Sequence, residues 1–159
     1  MKKLLLLPML LVCLVAPLSY AQDVSVEGLW NTFDDDTGQA DSLVKIWIDQ
    51  GELKGKIIKL IEPEDENAKC VDCEGKFKDQ TIVGLQFIWG LTLDDGVWDD
   101  GNILDPSDGS VYSSKITLSD DGNTLDVRGY IGFAFAGQST VWKRAVAPAT
   151  AAAVPTLEH

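Results

Sequence analysis

Two cysteines three positions apart, and an arginine that alternates with a tyrosine, are the residues here whose types and spacing could do chemistry. Cys70-Val71-Asp72-Cys73 has the spacing of a disulfide, of a redox-active pair, or of half a zinc site. Redox work needs a lowered thiol pKa, and the neighbouring Asp72 and Glu74 act the other way. Zinc needs two further ligands, yet the single histidine is His159 and the third cysteine, Cys13, lies in the leader. In an exported chain the pair is expected to form a disulfide that pins a long loop. So small a ring contributes about 2 kcal/mol.

Arg128 and Tyr130 alternate against Leu125, Val127, Gly129 and Ile131, so they share a strand face with Asp126. If that face points outward, Arg128 forms a surface ion pair with Asp126 or another rim carboxylate. If it points inward, the guanidinium becomes a bidentate site for a carboxylate head group, with apolar walls around the tail. Trp47, Trp89, Trp98 and Tyr112 are the further candidates for lining such a ligand site. Trp30 and Trp142 are expected to pack the ends of the fold, with Arg144 stacked on an indole.

The carboxylates gather at Asp34 to Asp36, Asp94-Asp95, Asp99-Asp100, Asp105 with Asp108, and Asp120-Asp121. Each group sits beside Gly, Asn or Pro, which is turn chemistry on a solvated rim. Asp94 to Asp108 would offer oxygens to calcium, but no Asp-x-Asp-x-Asp-Gly run followed by a bidentate Glu occurs. No spacing selects a carboxylate pair for glycoside hydrolysis. Without a histidine in the mature chain, Ser-His-Asp and Cys-His catalysis and imidazole proton shuttles are excluded. No cofactor or metal is expected, and a binding role is preferred to catalysis.

Lys2-Lys3, the apolar run Leu4 to Ala16, and Ser19-Tyr20-Ala21 have the form of a signal peptide covering 1–21, cleaved before Gln22. The run is too short to span a bilayer. Residues 22–145 are expected to form one domain, 146–156 an Ala/Pro-rich tail, and 157–159 a tag remnant. Without Lys2, Lys3 and Glu158, 11 basic and 24 acidic residues remain, a formal charge of about −13. That charge argues against nucleic acid and anionic lipid as partners. A periplasmic or secreted location is expected.

What must position these residues is a set of strands. Val26 to Phe33 suits a first strand, and Ser42 to Asp49 alternates cleanly, with Val44, Ile46 and Ile48 opposite Lys45 and Trp47. Gln50-Gly51 is a hairpin turn into Leu53 to Ile61. Glu62 to Gln80 reads as a polar loop, Thr81 to Leu93 as a kinked strand, and Asp94 to Gly101 as an acidic excursion. Asn102 to Leu104 is expected to pair briefly. Ser110 to Leu118, Thr124 to Ile131 and Ser139 to Arg144 complete the set. No segment has a sustained helical period. The pattern predicts an all-β fold, a small antiparallel up-and-down barrel of about eight strands.

The residues also carry a resemblance. Ile103-Leu104-Asp105-Pro106, Gly109, Tyr112, Leu125, Val127-Arg128-Gly129-Tyr130-Ile131-Gly132, Gly137 and Trp142-x-Arg144 follow one another over the second half of the domain. Upstream stand Gly28-x-Trp30, Asp35 with Thr37-Gly38, Gly55-Lys56-Ile57, and Cys70-x-x-Cys73 followed by Lys76 and Lys78-Asp79. This resembles the exported bacterial family known as domain of unknown function 2147, over roughly Val24 to Arg144. The chain departs from the family pattern at Thr81, in place of a proline, and at Gln138, in place of an arginine. The resemblance implies a lipocalin-like, or calycin, barrel in the cell envelope, and it implies no reaction. The expected function is therefore non-enzymatic periplasmic binding of a small hydrophobic, amphipathic or carboxylate-bearing ligand. The alternatives are a filled barrel that serves as a structural or interaction protein of the envelope, and a carboxylate-based hydrolase of envelope carbohydrate.

Overall fold

Alternation of buried and solvated side chains sets the pairing of the whole sheet. The computed structural model describes residues 24–34, 36–61 and 67–145. The expected signal peptide, tail and tag remnant lie outside the described residues. Among the described residues eight strands are formed: β1 (Gly28–Phe33), β2 (Ala40–Asp49), β3 (Glu52–Leu60), β4 (Gln86–Asp94), β5 (Val97–Leu104), β6 (Val111–Leu118), β7 (Thr124–Tyr130) and β8 (Gln138–Arg144). Each pairs antiparallel with its neighbour in sequence, and β1 pairs with β8. The sheet is thus a closed up-and-down barrel with almost no helix.

Two connections show how local chemistry fixes this register. Gln50 (φ 53°) and Gly51 (φ 84°) turn β2 into β3, and Asp95 (φ 44°) and Gly96 (φ 82°) turn β4 into β5. Two consecutive left-handed residues give the turn whose twist matches that of paired strands. The second turn corrects the sequence expectation: Val97 to Gly101 is not an acidic excursion but the first part of β5. Its carboxylates are tolerated because they face solvent, and Asp99 meets Lys115 of β6. At the other end of β4, Thr81 makes only an isolated bridge with Lys69, and the strand starts at Gln86.

The interior is built from Trp30, Val44, Ile46, Leu53, Ile88, Leu91, Ile116, Leu125, Val127 and Trp142, all essentially inaccessible to water. Backbone approach is close where glycine allows it. A Cβ on Gly55 would stand 2.9 Å from Ile88 Cδ1, and one on Gly101 would overlap Leu91.

Closure is made by Trp30 and Arg144, which are register partners across β1 and β8. The guanidinium lies 4.2 Å from the indole centroid. It also donates to the Gly122 carbonyl (2.6 Å), the Ser25 carbonyl (2.6 Å) and the Glu27 carbonyl (3.1 Å). Trp30 Nε1 in turn donates to the Val26 carbonyl at 3.0 Å. One cation therefore ties the last strand, the β6–β7 turn and the segment leading into β1. Trp30→Ala is expected to cost about 3–5 kcal/mol by cavity formation. Arg144→Met keeps the apolar stem and is expected to cost about 2 kcal/mol. Both losses are read from urea unfolding midpoints at constant m.

Candidate functional site

The two ends of the barrel differ in chemistry. The tight turns β2–β3, β4–β5 and β6–β7 gather at one end, where Trp30, Trp142, Leu53 and Leu125 fill the inner face. The longer connections β1–β2, β3–β4, β5–β6 and β7–β8 gather at the other. Inner-face positions toward this loop end mix buried apolar residues such as Ile57, Phe87 and Leu104 with small polar ones. They include Thr32 and Ser42, whose hydroxyls pair at 2.5 Å, and Ser114, which sits between Gly101 and Gly129 on the flanking strands. Ser114 Oγ is buried and has no hydrogen-bond partner among the described residues. A buried polar atom without a partner is costly, and Ser114 lines neither of the clefts at the barrel ends.

A cleft of about 350 Å³ opens at the loop end. Tyr112, Gly129 and Tyr130 form one side, Asp105 stands on the rim, and Ile131, Ala136, Gly137 and Gln138 of the β7–β8 connection form the rest. A second cleft of about 330 Å³ lies at the tight-turn end, lined by Val24, Val26, Ile48, Leu93, Trp98 and Leu118, with Ser25 and Gly96.

Arg128 takes the outward of the two positions foreseen from sequence, but its partners there are neutral acceptors. Its register partners are Lys115 and Ser139, and its face points outward, so it is not a cation inside the barrel. In place of an ion pair with Asp126, Nε donates to the Ala134 carbonyl at 2.6 Å and a terminal nitrogen donates to Ser139 Oγ at 3.1 Å. Arg128 is a strut for the β7–β8 connection. A carboxylate-bearing ligand loses the partner expected for it, because Asp105 is the charged side chain that lines the loop-end cleft.

Beside this strut the outer wall carries a small polar network. Lys115 pairs with Asp99, and the Tyr130 hydroxyl donates to Asp99 at 3.4 Å. Burial works to raise the Asp99 pKa, but hydrogen bonds from Lys115 and the Asp100 N–H, with the Lys115 charge, hold it below the ordinary carboxylate value. Burial and the Asp99 charge push the Tyr130 phenol up. Tyr130 therefore stays a neutral phenol at neutral pH, with its hydroxyl proton directed to Asp99.

The remaining candidates are dispersed. Trp47 is half-buried on the outer wall opposite Lys54. Trp89 packs on Phe77 at 5.3 Å between ring centroids, with Lys76 above both rings. Trp98 belongs to the tight-turn end. Cys70 and Cys73 are joined, with Cα atoms 5.3 Å apart, and both are buried. Their loop is keyed into the β5–β6 turn, since a Cβ on Gly109 would overlap the Asp72 carbonyl. The acidic turns spend their oxygens locally: Asp34 accepts from Thr37, Asp105 from Ser107, Asp108 from Ser110, and Asp121 from Ser119 and Asn123. Among the described residues no group of three or more His, Cys, Asp or Glu converges as a metal site would.

Sequence reasoning missed the β7–β8 connection, where Ile131, Phe133 and Phe135 stand in solvent. The available signal was a run of large apolar residues bracketed by Gly132 and Gly137, with no alternation to bury it.

The profile of the family described as "uncharacterized protein conserved in bacteria" (DUF2147) matches residues 28–144, the whole barrel. The chain belongs to this family. A solved structure with the same fold is described as "Protein HP1028 from the human pathogen Helicobacter pylori belongs to the lipocalin family". It superposes with a TM-score of 0.68 at 18% identity, over 77% of this chain and 84% of that one. The fold of this family member is therefore lipocalin-like. No curated protein matches the chain.

Two outcomes follow from the loop-end geometry. Arg128→Ala is expected to speed amide exchange at Ala134 to Gln138 while changing global stability by about 1 kcal/mol or less, since the bonds lost are few and partly solvated. For Asp99 the folded pKa is depressed, so its contribution is present above the unfolded value and disappears as pH falls through the folded one. Wild type and Lys115→Met should thus differ in unfolding free energy at pH 6 and converge as pH falls below the depressed folded pKa of Asp99.

Proposed function

We propose that this DUF2147 barrel is a non-enzymatic, exported binder of a small amphipathic molecule, held at the loop-end mouth above a filled core. The observation that carries the reading is the cleft of about 350 Å³ that brings Tyr112 and Tyr130 together. Its size lies at the lower end of the roughly 300–1,000 Å³ usual for small-ligand sites. Ring faces and a Tyr hydroxyl offer apolar contact and hydrogen bonding over one short span. The buried Ser114 hydroxyl lies one inner-face position below Tyr112 on the same strand. The leader-like run at Leu4 to Ala16 and the Cys70–Cys73 bridge support export to an oxidising compartment.

The filled interior favours a second reading, a structural or interaction protein of the cell envelope that docks through its acidic surface. A carboxylate-based hydrolase has less support. Asp105 lines the cleft without a second carboxylate, and the Asp34, Asp99 and Asp121 carboxyls are all lowered, where a general acid needs a raised one.

Fluorescence titration with N-phenyl-1-naphthylamine, a neutral amphipathic probe, separates the readings. Tyr112→Ala is expected to weaken binding about tenfold, equivalent to ~1.4 kcal/mol. Trp98→Phe, at the opposite end, is expected to leave it unchanged. The reverse pattern would move the site to the tight-turn end. No binding by wild type, with bare masses in native mass spectrometry of protein from its own host, would favour the docking reading.

A further inference from the structure

We propose that Phe133 and Phe135 complete the loop-end site as a ring-binding ledge, and that its ligand is a neutral or cationic molecule carrying an aromatic or other flat ring. This rests on the binding reading above and deepens it. Phe133 is 72% and Phe135 84% exposed, with Ile131 at 73%, whereas Phe87, Trp30, Trp98 and Trp142 are buried. The two exposed rings are stacked within 12° of parallel, with centroids 5.7 Å apart. Such a pair offers a preformed face to a third ring, the arrangement that aromatic groups prefer.

The ledge is held rather than trailing. Phe133 N–H donates to the Ile131 carbonyl (3.0 Å), Ala136 N–H to the Phe133 carbonyl (3.0 Å), and the Arg128 guanidinium to the Ala134 carbonyl between the rings (2.6 Å). Gly137 closes the turn so tightly that a Cβ there would stand 2.6 Å from Tyr130 Cβ. Fixing the rings before binding reduces the ordering cost of holding a ligand.

Continuity names the occupant. Ile131, Ala136 and Gly137 line the cleft, so the ledge extends a wall that the site already has. Charge narrows the ligand class. Arg128 is engaged by Ala134 and Ser139, Lys115 is engaged by Asp99, and the charged residue lining the cleft is Asp105. On the cleft wall an anionic head group would therefore meet the Asp105 carboxylate, with the Arg128 guanidinium on the outer face and turned to Ala134 and Ser139, on a protein of formal charge −12. The same charge disfavours an anionic bilayer as the surface these rings serve.

The test compares two probes that share a ring system. Wild type is expected to bind neutral N-phenyl-1-naphthylamine about tenfold more tightly than anionic 8-anilinonaphthalene-1-sulfonate. The double variant Phe133→Ser/Phe135→Ser alters exposed side chains, and its unfolding midpoint serves as the folding control. It should lose N-phenyl-1-naphthylamine affinity about tenfold, and Phe133→Leu/Phe135→Leu should restore little of it. Undiminished binding by the Ser variant, with Tyr112→Ala still weakened, would overturn the ledge and leave the binding reading standing. Equal or tighter binding of the sulfonate would overturn the charge assignment. Failure of wild type to bind either probe would remove the binding reading and the ledge together. If the Ser variant instead lost only co-sedimentation with phosphatidylcholine vesicles, or only a dimer seen by sedimentation velocity, the rings would belong to a lipid surface or to a second copy, and the ledge would be wrong.

Discussion

A barrel is closed only if its first and last strands pair, and here that seam is short. Two register pairs, Trp30 with Arg144 and Asn31 with Lys143, join β1 to β8. A guanidinium supplies what so few ladder bonds do not. Lying on the Trp30 indole, it has one face occupied by a ring while its edge donors reach three carbonyls from two different segments. Lysine, a point charge without a planar fork, has no equivalent set of contacts. The seam lies beside the tight-turn end, where Trp30 and Trp142 are buried.

The opposite end inherits the remaining freedom. Four longer connections leave it, and the inner face there is small and polar at Thr32, Ser42 and Ser114. Each connection is then stiffened separately. The disulfide loop is keyed against Gly109, and the β5–β6 turn is knotted by its own aspartates. The β7–β8 turn is braced by Arg128. A filled core thus lies beneath a braced rim at this end.

Much of this was legible in the chain. Alternation in Ser42 to Asp49, turn residues at Gln50-Gly51, and the Gly28-x-Trp30 and Trp142-x-Arg144 bracket predict strands, order and closure, and all three appear. The start of β5 was hidden because Asp99 and Asp100 look like loop, and only the partner Lys115, some fifteen residues away, makes Asp99 acceptable in a strand. The orientation of Arg128 was undecidable locally. Period 2 tells which residues share a face and not which face is inside. Its true partners, Ala134 and Ser139, belong to a turn and a strand that come later in the chain. The candidate site was legible only in part, since Tyr112 and Tyr130 meet while Trp47, Trp89 and Trp98 point to three other regions.

The measurement that bears most directly on the account is a 15N–1H correlation titration of the folded protein with N-phenyl-1-naphthylamine. Saturable shifts concentrated at Asp105 to Ser114 and Gly129 to Gln138 are the result expected of a ligand held at the loop-end mouth. Shifts confined to Val24 to Val26, Leu93 to Trp98 and Leu118, or none at saturating probe, would contradict it.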